Sequence, residues 1–134
     1  MGSTTARRID HDGAPIVLSP SGLPTRYLVD ASTGSRELFV AEQFLAPGDR
    51  VLLHTHPTEE VLVFLGGTGM ATLDDTEVTV HTGISLVLPA GVPHGFRNIG
   101  TAPLHVLVIF PGAAFAATTL LEFGSGLAVP DQLA

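Results

Sequence analysis

The sequence predicts an all-β domain of the sandwich, jelly-roll or barrel kind, and three observations predict it. Ten apolar segments of strand length, rich in Val, Ile, Leu and Phe, follow one another along the chain. Turn-forming residues punctuate them at near-regular intervals. Helix-forming stretches are scarce.

The segments run over residues 16–18, 26–29, 37–45, 50–56, 60–65, 70–73, 77–80, 84–88, 94–99 and 104–110. Between them lie Pro47-Gly48-Asp49, Gly66-Gly67-Thr68-Gly69, Asp74-Asp75, Pro89-Ala90-Gly91 and Gly100-Thr101-Ala102-Pro103. Asp74 and Asp75 read as a hairpin tip and not as a carboxylate dyad. The one helix candidate is the Ala-rich stretch 113–121, hemmed in by Gly112, Gly124 and Gly126. Residues 1–12 read as a flexible arm, 13–127 as a single β-barrel domain and 128–134 as a tail.

Composition narrows the chemistry. The 134 residues suit one domain with a sizeable core. There is no cysteine and no lysine, which removes thiolate ligands, disulfides and Schiff-base chemistry together. A net charge of −7, with six scattered arginines as the only strong bases, argues against a nucleic-acid partner. No apolar run reaches the roughly 20 residues of a membrane span. The first eight residues lack the apolar core of a signal peptide, so a cytoplasmic protein is expected.

Histidine and glutamate crowd into His54-Thr55-His56-Pro57-Thr58-Glu59-Glu60. Strand side chains alternate faces, so His54 and His56 point the same way. Pro57 ends the strand, and the returning strand opens with Glu60 beside the two histidines. His94, after Pro89-Ala90-Gly91-Val92-Pro93, supplies a third imidazole. Buried without an ion, such groups would leave unpaired polar atoms at roughly 1–3 kcal/mol each. One divalent transition metal per chain resolves that cost, and three imidazoles with a carboxylate suit Mn, Fe, Ni, Cu, Co or Zn.

These residues also fit a known pattern. Between Gly48 and Gly67 the chain has Gly, five residues, His54, one residue, His56, three residues, Glu60, six residues, Gly67. Between Gly83 and Asn98 it has Gly, five residues, Pro89, one residue, Gly91, two residues, His94, three residues, Asn98. The two stretches resemble the paired motifs of the cupin superfamily at every defining position. The resemblance implies a double-stranded β-helix, a jelly-roll barrel in which His54, His56, Glu60 and His94 hold the metal. It also implies that Gly48, Gly67, Gly83, Pro89 and Gly91 shape turns.

Around that centre the sequence offers further site residues. Arg50 shares parity with His54 and could hold a substrate carboxylate, although a solvated strand end beside Asp49 is the favoured account. His105 becomes a catalytic base near the metal, or a substrate contact, if His105, Leu107 and Ile109 face inward. It is a surface or interface residue if Leu104, Val106, Val108 and Phe110 do. Of the neighbours Glu42 and Gln43, one must face the barrel as a substrate contact. Phe44, Phe64, Met70 and Phe96 are expected to form the pocket walls and core.

The favoured function is a metal-dependent enzyme acting on a small oxygenated organic molecule such as a carboxylate, diketone or phenol. Its chemistry would be that of a dioxygenase, or of a lyase, decarboxylase, isomerase or cyclase. The alternative is a non-catalytic metal- or ligand-binding barrel serving as a sensor or store. A homodimer is expected, because 104–110 is apolar on both faces and 113–127 is uncharged apart from Glu122.

Overall fold

The computed structural model describes residues 5–122. Along it run β1 (Ile16–Leu18), β2 (Pro24–Val29), β3 (Leu38–Leu45), β4 (Arg50–Thr55), β5 (Glu60–Gly66) and β6 (Thr68–Leu73). Then follow β7 (Thr76–His81), β8 (Ser85–Leu88), β9 (His94–Asn98), β10 (Leu104–Pro111) and β11 (Thr119–Leu120). Two antiparallel sheets result, one in the order β1-β2-β3-β10-β5-β8 and one in the order β11-β4-β9-β6-β7. Strands adjacent in sequence repeatedly fall in different sheets, as a jelly roll requires.

Alternation decides the interior. Phe39, Ala41, Gln43 and Leu45 of β3 are buried, while Leu38 and Phe44 are exposed. In β10 the buried set is Leu104, Val106, Val108 and Phe110, so His105, Leu107 and Ile109 face outward. Phe39, Phe64, Val106 and Phe110 from one sheet meet Ala71, Val80 and Phe96 from the other. Each large side chain so buried contributes roughly 1.5–3 kcal/mol.

Asn98 closes the loop before β10: its amide donates to Leu45 O and Ala102 O, and its carbonyl accepts from Gly100 N. Asp74 and Asp75 do form the two-residue tip between β6 and β7, with Leu73 opposite Thr76.

The Ala-rich stretch is not a helix. Phe115 is drawn into an aromatic cluster with Phe110, Phe39 and Tyr27, at centroid distances of 5.1, 5.5 and 6.1 Å. Beyond it, Thr119 and Leu120 pair with Thr55 and His54. Tertiary packing and strand pairing outweigh alanine's modest helix preference. The expected domain end at residue 127, the tail 128–134 and the interface stretch past residue 122 lie outside the described residues. No helix among the described residues is long and apolar enough to cross a membrane.

Candidate metal centre

Both sheets contribute to the centre. His54 is next to last in β4, His56 lies just beyond the strand, and His94 opens β9 directly opposite His54. Glu60 opens β5 in the other sheet. All four residues are buried, and their ligand atoms lie within 4.8 Å of one another.

Backbone carbonyls set the direction of the rings. Nδ1 of His54 donates to Leu52 O at 2.6 Å, that of His56 to Ala117 O at 3.0 Å, and that of His94 to Val92 O at 2.9 Å. A carbonyl oxygen only accepts, so each Nδ1 carries the hydrogen and each Nε2 presents its lone pair to the centre. Burial, followed by the charges of His94 and His56, pushes the His54 pKa down to about 3, keeping that ring neutral. Burial likewise lowers His56.

The donor set fits a cation. His54 Nε2 and His56 Nε2 stand 3.0 Å apart, lone pair toward lone pair. That is close to the separation of two neighbouring ligands at right angles, each about 2.1 Å from a shared ion. Glu60 Oε1 lies 2.6 Å from His94 Nε2 and 3.5 Å from His56 Nε2, supplying the negative charge. The carbonyls behind the rings are the outer layer that orients metal-binding imidazoles.

The four residues line a small cavity of about 20 Å³. Val51, Leu62, Phe96, Val108 and Phe115 form apolar walls, and Ser19, Ser21 and Gln43 supply polar groups. Among the described residues no arginine lines it. Gln43 is therefore the inward member of the Glu42–Gln43 pair, with Nε2 donating to Thr25 Oγ1 at 2.9 Å.

Several other expected site residues are elsewhere. Arg50 shares odd-even parity with His54, yet it is exposed and pairs with Glu122 at 3.2 Å. The reason is a bulge. Val51 opposes Phe96 and His54 opposes His94, so three steps on β4 match two on β9 and the parity slips by one.

His105 is outside the barrel. Its Nε2 is 2.8 Å from Glu42 Oε2, and its ring stacks on Phe44 at 4.1 Å, so none of His105, Glu42 and Phe44 reaches the cluster. Met70 also points outward, because β6 turns small residues inward. A Cβ on Gly69 would meet Arg97 O and Leu104 Cδ2 at 2.9 Å. Phe64 is in the core, edge-on to Phe96, and not in the cavity wall. Phe96 does line the cavity.

Sequence reasoning missed the C-terminal segment. Thr118 is buried, donates from Oγ1 to Ala116 O, and has that oxygen 3.2 Å from His56 Nδ1. Phe115 closes one side of the cavity. No motif marks either residue; a contact across 62 positions carries Thr118 to His56.

Comparison with known proteins agrees with this geometry. A family model described as a cupin domain matches residues 41–110, which include all four cluster residues. An uncharacterized protein of Methanocaldococcus jannaschii is 36% identical over 85 residues, covering 62% of this chain and 68% of the relative. Among solved structures, the polyketide cyclase RemF from Streptomyces resistomycificus superposes with a TM-score of 0.74 at 21% identity. That match covers 90% of this chain and 89% of the other. Oxalate decarboxylase from Bacillus subtilis gives 0.73 at 20% identity, over 90% of this chain and 34% of that one. At these identities the structural likenesses speak for the fold. With the family model spanning more than half of its length, this chain belongs to the cupin superfamily.

Proposed function

We propose that the protein is a metal-dependent cytoplasmic enzyme acting on a small oxygenated organic molecule. One divalent transition metal would be held by His54, His56, Glu60 and His94. The observation that carries this reading is the convergence of three Nε2 lone pairs and one carboxylate beside an apolar cavity. When bound, such a metal polarises oxygen groups as a Lewis acid and, as iron or copper, supports oxygen chemistry.

The chain's own groups favour a largely neutral substrate. Val51, Leu62, Phe96 and Val108 would exclude water from its carbon skeleton. Gln43, with its amide nitrogen held by Thr25, keeps a carbonyl oxygen to accept from a substrate hydroxyl. The Ser21 hydroxyl oxygen accepts from Leu52 N, and its hydrogen remains available as a donor. With no arginine among the described residues of the cavity, a phenol or enolisable diketone suits it better than a dicarboxylate such as oxalate. The cyclase chemistry in RemF's name accords with that preference more than the decarboxylase chemistry does.

The test is elemental analysis of protein purified without added metal, then turnover of a panel of phenols, diketones and carboxylates with and without oxygen. Roughly one equivalent of metal, and turnover lost on chelation, supports the enzyme reading. Metal with no turnover of any compound favours the non-catalytic barrel. No metal uptake from Mn, Fe, Co, Ni, Cu or Zn overturns the proposal.

A homodimer is part of the same reading. On the outer face of the six-stranded sheet, Val40, Ile109, Val61 and Val87 lie in register across four strands. Leu107 and Val63 form the next row. An apolar band of this kind suits a second copy of the chain.

A further inference from the structure

The bulge in β4 leaves two backbone amides without a place in the β4–β9 ladder. Leu52 and Leu53 together oppose Gly95, between the paired positions Val51–Phe96 and His54–His94. Side chains from two distant loops take both amides. Leu52 N donates to Ser21 Oγ at 2.8 Å, and Leu53 N donates to Glu122 Oε1 at 2.8 Å. The same Glu122 oxygen is 3.2 Å from Arg50 Nη1, and Leu121 N donates to Leu53 O at 2.9 Å. Leu52 also supplies the carbonyl that fixes the His54 ring, at 2.6 Å.

We propose that Ser21 and Glu122 are positioning residues for His54, acting as a two-sided latch on the bulge. This rests on the metal reading above. Without the latch, amides 52 and 53 would seek other acceptors and the peptide carrying Leu52 O would turn. The His54 ring would then lose the partner that keeps hydrogen on Nδ1 and the lone pair on Nε2. Outer partners of this kind alter metal affinity by roughly 10–100-fold when removed. Ser21 and Glu122 lie 31 and 69 positions from the amides they hold, so the latch also ties the 19–21 loop and the C-terminal strand to the centre.

The test compares the full chain with Ser21→Ala, Glu122→Ala, their double variant and Glu122→Gln. Two readouts are taken: Co(II) affinity with its visible ligand-field spectrum, and the His54 tautomer of the metal-free protein by imidazole 15N NMR. The double variant is expected to bind Co(II) at least tenfold more weakly with an altered spectrum, and to show mixed His54 tautomers. Glu122→Gln, which keeps an oxygen for Leu53 N, should stay within about twofold of wild type. A double variant with wild-type affinity and a pure Nδ1–H tautomer overturns the latch, as does a Gln variant as impaired as Glu122→Ala. If wild type itself binds no Co(II), the metal reading fails, and the tautomer readout still decides the latch.

Discussion

Glu60 Oε1 and His94 Nε2 meet at 2.6 Å across the two sheets, one residue opening β5 and the other opening β9. An ion bound between them joins the sheets, so metal binding and folding stability are coupled. At free metal about 100 times its Kd, the gain is about 2.7 kcal/mol. For a domain of this size that is on the order of 10 °C in Tm. Scanning calorimetry before and after chelation checks it; an unchanged Tm on removal of a full equivalent would refute the coupling.

His94→Ala removes one imidazole from β9 and leaves the β4–β5 segment bearing His54, His56 and Glu60 intact. Metal affinity should fall by more than the roughly 10–100-fold expected for an outer partner, and turnover should vanish. Circular dichroism should remain that of a β-sheet protein, since the core is Phe, Leu and Val. Full turnover by this variant would make the metal structural.

Stability of the metal-free protein should depend on pH through His54. Its folded pKa is lowered from 6.5 to about 3, so between those values the unfolded chain binds the extra proton. Stability is therefore full above about pH 6.5 and falls as pH drops toward 3, by about 1.4 kcal/mol per pH unit at most for this ring. Protons also displace metal from Nε2, so occupancy declines in the same direction. Urea unfolding at several pH values checks the sign.

Gly95→Ala should cost about 1–3 kcal/mol and weaken metal binding. A Cβ there would stand 2.8 Å from Val51 O and 3.2 Å from Leu53 N, against the backbone of the bulge itself. Denaturant midpoint and metal titration measure the two effects separately.

Where the proposed homodimer forms on the apolar row, Ile109→Lys should leave a monomer in light scattering, because Ile109 is central to that row. His105→Gln should leave turnover unchanged, its ring being on the outer face with Glu42 and Phe44. A dimer mass for Ile109→Lys, or lost turnover in His105→Gln, would contradict these placements.

The sequence by itself determined the β architecture, the turn positions and the grouping of His54, His56, Glu60 and His94. Those follow from two-residue periodicity, the conformational limits of Gly and Pro, the short spacing of His54, His56 and Glu60, and the second motif, which carries His94. Tertiary structure alone decided what lies around them. One extra residue between Val51 and His54 turned Arg50 away from the cavity, a slip that parity counting cannot see. The side taken by His105 was open because 104–110 is apolar on both faces. Pairing of β10 between β3 and β5 settled it by committing Val106 and Val108 to the core. The Ala-rich stretch became a strap over His56 because Phe115 and the free edge of β4 offered it partners that only the folded chain brings near.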